Sequence, residues 1–409
     1  MPLVLKAYKL RFYPTIAQQE LLTKTFGCAR VVWNYWVTTF NNWKPGDPLV
    51  FDKSIKELKT EYEWLKYVPF NVLNEKLWDW KATKGQYFNK KRKVKLGRPK
   101  YKSKHGKQSI RFSSHGFSYK NGIVKAAKLG TLKLVGYDLT TLPMDTCKQI
   151  TISKDPSDKY YCSVLVQINI DHKPLTGKMV GIDLGLRDLY ILSNGLVVNN
   201  PRWFRENQSK LKKAQQHLAH KIKGSNRRLK QKRKVSKIHE KIRFQRDNFL
   251  NEVSTALVTQ YDVICIEDLN VKGLIKTNLG KSVSDAGWST FTKMLEYKCD
   301  WYGKTLVKID RFYPSSKTCN CCGRKLTELG RDIEKWQCPI CDSVHHRDWN
   351  AAKNILAKGY ADLIGEEVKF TGLHKSVSVE SIEYEHREEL SLFCASHHLA
   401  SSLKCLVNP

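Results

Sequence analysis

Three features of the 409-residue sequence predict a multidomain α/β fold. Residues 117–170 are rich in β-branched and aromatic residues broken by turn signals, a strand pattern. Further on, two short apolar segments each hold one acid, at Asp183 and Glu267. Four cysteines at metal-ligand spacing then precede a last helical stretch.

The chain carries 71 Lys and Arg against 39 Asp and Glu, a formal net charge of +32. Such an excess points to a polyanionic partner, because each phosphate neutralised by Lys or Arg releases condensed counterions. Hydrophobic residues make up 41%, enough for packed cores, which excludes a disordered chain. The N-terminus shows no signal-like apolar stretch, so the twelve cysteines do not read as a secreted disulfide framework. No apolar run reaches about 18 residues, so no membrane partner is expected. The expected setting is a reducing, prokaryotic cytoplasm, in association with the nucleoid.

Residues 8–12 alternate apolar and basic, which predicts a strand ended at Pro14. Thr15 and Gln18 then form a capping box that opens a helix. Leu22, Phe26, Ala29, Trp33 and Trp36 share one face of it, as core residues do. Residues 50–92 read as helical and aromatic-rich. Between Lys81 and Arg111 stand thirteen Lys or Arg and no acid. Gly, Pro and aromatic residues interrupt that run, which reads as a folded phosphate-contacting surface rather than a solvated tail. The strands of 117–170 suggest a small β-barrel that the first strand completes, with residues 15–115 as a helical insertion.

After the break at residues 174–177, "MVGIDLGLRDLYILSNGLVV" reads as a strand and a hairpin turning at Asn194-Gly195. Two long helices follow, with seventeen Lys or Arg in residues 202–246. Ile238, Ile242, Phe249, Val253 and Leu257 mark the buried stripe of the second. "YDVICIEDL" is continuously apolar, as a central parallel strand is. A helix over 286–302, a strand "KTLVKID", the cysteine segment and a helix from Asp348 complete the ordered part. Residues 361–409 are acidic by contrast, with eight acids and four Lys or Arg, and are expected to form a flexible tail dispensable for chemistry.

Cys319-x2-Cys322 and Cys338-x2-Cys341 are fifteen residues apart, a spacing that fits a four-thiolate zinc ribbon. Cys321 is an extra thiol inside the first knuckle, and His345 and His346 leave a mixed ligand set open. A closed four-thiolate site has no vacant position, so this zinc holds shape rather than catalyses. The carboxylates carry the chemistry. Asp183 and Glu267 lie in or at the edge of apolar strands, where a charge is costly unless paired or metal-bound. Asp348 opens a helix, which alone is consistent with an ordinary N-cap. Together, two acids on neighbouring strands and one on a flanking helix match a site for two Mg²⁺ ions that hydrolyses phosphodiesters. Alternation points Asp268 to the opposite face.

The sequence resembles the TnpB (OrfB) family of transposon-encoded RNA-guided DNA endonucleases, relatives of type V CRISPR effectors. The resemblance spans residues 4–358. It rests on "RFYPTIAQQELLTKTFGCARVVWNYW", "GRPKYKSK", "GIDLGLRDL", "IEDLNVKG", "SDAGWSTF", "LEYKCDWYG", "YPSSKTCNCCG" and "WQCPICDSVHHRDWNAAKNI". Cys321, His346 where an Asp is common, and the long tail depart from the family pattern.

The resemblance implies an RNase H-like (RuvC) nuclease core at residues 178–312 and 346–360, with a zinc ribbon inserted at 313–345. It implies a β-barrel wedge domain at 1–14 and 116–175, a helical recognition insertion at 15–115 and the tail at 361–409. Asp183, Glu267 and Asp348 fall on the catalytic, Mg²⁺-binding positions, and Cys319, Cys322, Cys338 and Cys341 on the zinc positions. The implied partners are a guide RNA from the transposon end and target double-stranded DNA, cut beside a short flanking motif. Phe70, Asn71 and Asn74 correspond to the motif-reading region, and an amide at Asn74 suits an adenine edge. Arg98, Lys100 and Lys102 would track nucleic acid, and Arg347 would contact a phosphate or orient an acid. Two other readings remain: a catalytically idle RNA-guided repressor and a protein-only RuvC-like resolvase. The presence of all three acids disfavours the first, and the ribbon and basic insertion disfavour the second.

Overall fold

The computed structural model describes residues 3–44, 53–91, 96–330 and 332–365. Most of the expected tail therefore lies outside the described residues. The chain divides into two compact units after Ile170.

In the first unit, β1 (Leu3–Phe12) leads into α1 (Ile16–Asn42), α2 (Ile55–Glu61) and α3 (Phe70–Phe88). Strands follow: β2 (Gln108–Ser113), β3 (Phe117–Lys120), β4 (Ile123–Ala126), β5 (Gly130–Thr131), β6 (Leu134–Val135), β7 (Gln149–Lys154) and β8 (Tyr160–Asn169). They form a five-stranded sheet in the order β2-β7-β8-β1-β6 and a separate sheet β3-β4-β5. β1 pairs antiparallel with β8 along its length, from Leu3 opposite Asn169 to Phe12 opposite Tyr160. Its alternation is the reason: Leu10 and Phe12 are buried, and Lys9 and Arg11 face outward over Tyr161. Asn121 and Gly122 both take positive φ between β3 and β4, as a tight two-residue turn requires.

Thr15 caps α1 with the full reciprocal box to Gln18. The stripe Leu22, Phe26, Ala29, Trp33 and Trp36 is buried. Its first half packs on Phe112, Ile150 and Val164 of the sheet. The second half joins Leu73 and Trp80 of α3, where the rings of Trp36 and Trp80 stack at 6.3 Å. Part of the basic run is pinned to α1. Trp33 donates to the Lys100 carbonyl at 3.1 Å, and the Asn34 side chain bonds both backbone groups of Lys102.

The second unit begins with β9 (Met179–Leu184), β10 (Asp188–Leu192) and β11 (Val197–Asn199), then α4 (Trp203–Ala219) and α5 (Asn226–Gln260). β12 (Val263–Glu267), α6 (Val271–Leu274), α7 (Gly280–Ala286), α8 (Trp288–Tyr302) and β13 (Thr305–Ile309) follow. A small hairpin, β14 (Lys335–Gln337) and β15 (Val344–His346), precedes α9 (Arg347–Ile364). The main sheet has the order β11-β10-β9-β12-β13. β9, β12 and β13 are parallel, and the β10-β11 hairpin extends the sheet antiparallel. On one face, Val180, Ile182, Ile264 and Ile266 pack against Phe249, Leu250, Val253 and Leu257 of α5 and Phe291 and Leu295 of α8. On the other face lies α9, with Ile355 packed on Cys265 and Ile309. The helix expected over 286–302 is α8, and a short helix not expected from the sequence, α7, precedes it. Gly287, at φ 72°, ends α7 and starts α8, a left-handed position that suits glycine.

Candidate active site and metal centre

β9 and β12 are parallel neighbours in which Ile266 stands opposite Ile182. Asp183 and Glu267 are the next residues, so the pleat sends both carboxylates to the face opposite those isoleucines. That is the face α9 covers. Two glycines allow the approach. A Cβ on Gly181 would sit 2.2 Å from the Ala352 carbonyl oxygen, and one on Gly359 would sit 2.4 Å from Cys265 Sγ. α9 thus lies almost on the strands, and Asp348, one turn before Ala352, stands at the strand ends with the other two acids. Asp348 is the second residue of α9, while His346 occupies the cap position without a capping bond. The N-cap role open to Asp348 in the sequence is therefore excluded.

The three acids are half-buried. Burial, then Glu267, then Asp348 push the Asp183 carboxyl well above the usual range, and the Arg347 charge opposes them. Burial also pushes Glu267 up, opposed by a hydrogen bond from Ser315. No ion pair reaches any of the three among the described residues. Such a cluster of carboxylates without an ion pair attracts cations. Their oxygens are not drawn within 4.8 Å of one another; among the described residues only cysteine-containing groups are. Asp268 points away and pairs with Arg311 at 2.5 Å. Arg347 donates to the Gly330 carbonyl at 2.7 Å.

The start of α9 is anchored on two sides. Trp349 Nε1 donates to the Ser193 carbonyl at 2.9 Å, and Ser193 Oγ accepts from Gly181 N–H at 3.1 Å. Asn350 and Asn354, both buried, reach the other way. Their amides donate to the Thr318 carbonyl at 2.8 and 2.6 Å, and Asn354 also to the Ser315 carbonyl at 2.7 Å. The Asn320 N–H returns a bond to Asn350 Oδ1 at 3.1 Å.

Those bonds end on the first cysteine knuckle. Cys319, Cys322, Cys338 and Cys341 bring their sulfurs together, with Cys319–Cys341 and Cys322–Cys338 both at 3.6 Å. The edge of a tetrahedron with zinc–sulfur bonds of about 2.3 Å is about 3.8 Å. The cluster could therefore hold a zinc ion. Cys319, Cys321 and His345 form an overlapping group. Here Cys319 Sγ and His345 Nε2 are 3.0 Å apart. Co-ligands of one zinc would be separated by about 3.6 Å, so the distance favours an N–H···S hydrogen bond. His345 is buried against Trp336, with ring centroids 4.6 Å apart.

Apart from Arg347, at the start of α9, the nucleic-acid candidates lie in the first unit. Phe70 is exposed with the Lys59 ammonium over its ring at 4.9 Å. The Asn71 amide is engaged internally by Ser113 Oγ and N–H at 2.8 and 3.1 Å. Asn74 is half-buried on α3. Arg98 donates to the Asn41 carbonyl at 3.0 Å, and Lys102 stands 3.6 Å from the Trp33 ring centroid. Lys100 is exposed. Sequence reasoning missed Ser315, Asn350 and Asn354. A signal existed for the last two, which are amides four residues apart and so share a helix face.

Comparison with known proteins follows the same residues. The OrfB family model of IS605 elements, described as "Probable transposase", matches residues 159–278. A "Cas12f1-like, TNB domain" model matches residues 288–355, which include the four cysteines and Asp348. A model described as "Helix-turn-helix domain" matches residues 1–43, which here form β1 and α1. A Streptomyces pristinaespiralis protein named "Putative RNA-guided DNA endonuclease" is 35% identical, covering 88% of this chain and 91% of the relative. An Escherichia coli K12 protein, "Putative RNA-guided DNA endonuclease InsQ", is 28% identical over 90% of this chain and 96% of its own. The chain also resembles Cas12f1 solved with a guide RNA and target DNA. The TM-score is 0.54 at 12% identity, over 86% of this chain and 98% of that one, which shows a shared fold.

Proposed function

The chain belongs to the TnpB (OrfB) family, and from that premise we propose that it is an RNA-guided, Mg²⁺-dependent endonuclease encoded by an insertion sequence. It cuts double-stranded DNA beside a short flanking motif. The carrying observation is the placement of Asp183, Glu267 and Asp348 at one end of one sheet face, half-buried and without an ion pair among the described residues.

The second unit's main sheet with α9 is the RNase H-like (RuvC) nuclease domain, residues 178–312 and 346–360, interrupted by the ribbon at 313–345. Residues 1–14 and 116–175 are the wedge, and 15–115 the recognition insertion. The acids fit two divalent cations. Their donor set is all oxygen, and ions about 3.5–4 Å apart need carboxylates spread wider than one ion would. Bound Mg²⁺ supplies an activated water and stabilises the leaving oxygen of the scissile phosphodiester. Asp183 on the central strand, Glu267 on the neighbouring strand and Asp348 on the covering helix would supply the carboxylate oxygens that hold the ions. The sheet behind them excludes bulk water, which strengthens their field. Cys319, Cys322, Cys338 and Cys341 hold one structural Zn²⁺. Sequence is read by pairing with a guide RNA from the transposon end, and the protein reads the flanking motif through the region of Phe70, Asn71 and Asn74. Arg98, Lys100, Lys102 and Arg347 contact backbone phosphates. The protein acts at the nucleoid.

The test is cleavage of a plasmid library by protein coexpressed with the end of its own element. The library has one guide-matched site beside randomised flanking bases, with Mg²⁺ or EDTA present. Mg²⁺-dependent linear product from a narrow set of flanks is expected. Bound RNA without product would favour the guided repressor, and absence of bound RNA would favour the protein-only resolvase.

A further inference from the structure

Ser315 stands between the two elements that carry Glu267 and Asp348. It is 5% exposed. Its Oγ donates to Glu267 Oε1, the side-chain bond that the described residues give this carboxylate. Its carbonyl accepts from Asn354 Nδ2 at 2.7 Å, and from Asn350 Nδ2 at 3.5 Å. Its N–H donates to the Tyr313 carbonyl at 2.8 Å. Backbone and side chain of one residue are thus fixed to different elements: the backbone to α9, the side chain to the end of β12. Asn350 lies two residues beyond Asp348 on that helix, so the link from Asp348 to Glu267 runs through few rotatable bonds.

We propose that Ser315 is a positioning residue that sets the spacing between Glu267 and Asp348. The inference rests on the reading that these acids, with Asp183, hold divalent cations. A glutamate at a strand end has three side-chain torsions, and burial alone does not choose among them. The serine hydroxyl selects one and leaves the remaining lone pairs of the carboxylate open. The asparagine clasp keeps that hydroxyl in register with α9. The same clasp holds the Thr318 carbonyl, next to the metal-ligand candidate Cys319. The ribbon therefore reaches α9 through the two asparagines and Glu267 through Ser315, rather than through the zinc ion itself.

The test uses the full chain with its RNA and iron(II) with ascorbate, which cuts the polypeptide beside a bound metal. The readout is the iron concentration for half-maximal scission near residues 183 and 267, measured with the rate of DNA cleavage. Loss of an outer-shell partner typically costs 10–100-fold in metal affinity or activity. Ser315→Ala should raise the half-maximal iron concentration and slow cleavage about tenfold or more. Guided DNA binding, zinc content and melting temperature should stay at wild-type values. Ser315→Thr should restore both losses, and on Glu267→Ala, which removes the accepting carboxylate, Ser315→Ala should raise the half-maximal iron concentration no further. Wild-type scission and cleavage in Ser315→Ala would overturn the proposal. So would a loss that Thr does not restore, a further rise in the half-maximal iron concentration on Glu267→Ala, or a loss that comes with lost zinc. If the wild-type chain gives no scission at this site that Asp183→Ala removes, the cation-site reading itself fails, and the serine's role with it.

Discussion

Gly181 fixes how near α9 comes to the acids. An alanine there would meet backbone, the Ala352 oxygen at 2.2 Å and the Leu356 nitrogen at 2.6 Å, so the helix itself must move. Gly181→Ala should cost about 1–3 kcal/mol of stability, as overpacking does, and should reduce cleavage further than the stability loss explains. Thermal melting and cleavage rates on the same samples check this. Lys298 offers a pH signature. It is buried on α8 and donates to the Asn251 carbonyl, Ser254 Oγ and Thr255 Oγ1 at 2.6–2.7 Å. Burial pushes it down to about 8, below the ordinary lysine value of about 10.4. The unfolded chain then binds more protons between those values, so this group's penalty is full below pH 8 and is relieved as pH rises towards 10.4. Lys298→Met should remove that rise, seen as the difference between the two proteins' melting temperatures against pH. At this level the sequence was partly legible. Asp183 and Glu267 stood out because each interrupts an apolar run. Ser315 did not, because a loop serine reads the same whether it faces water or a carboxylate.

The ribbon is the element where spacing carried most of the information. Two Cys-x2-Cys pairs need little else to bring four sulfurs together. The standing of His345 was not legible, since only a distance separates a ligand from a hydrogen-bond donor. Cobalt substitution decides between them. The spectrum should be that of four thiolates and should persist in His345→Phe; a spectrum with one nitrogen ligand that His345→Phe alters would make the histidine a ligand. Cys338→Ser should lower bound zinc to below stoichiometric and reduce soluble yield, read by metal analysis. Strands fared differently. The alternation of β1 was visible, but its pairing with β8 joins residues more than 140 apart. A two-residue period gives faces, not partners. Likewise, α7, which ends at the left-handed Gly287, was not expected as a helix of its own, because seven residues are too few to show a helical period.

The whole molecule carries a charge of +32, and that figure says more about its partner than about its fold. If the partner is RNA and DNA, log affinity should fall linearly with log salt, at roughly 0.7–0.9 per phosphate contacted. A titration of guide RNA binding from about 50 to 200 mM salt should show a loss of several orders of magnitude; a flat response would argue against phosphate contact as the role of the basic segments. Fold class and family followed from ordered motifs along the chain, because those motifs are local. The three candidate acids, 84 and 81 residues apart, were named from the sequence, but the packing at two glycines that joins their elements was not, because close approach leaves no pattern along the chain. The most direct measurement is therefore DNA cleavage and guided DNA binding by Asp183→Ala, Glu267→Gln and Asp348→Asn, each assembled with its RNA. All three should bind target as the wild type does and fail to cut it. Cutting at the wild-type rate by any one of them would remove that acid from the site and contradict the convergence on which the function rests.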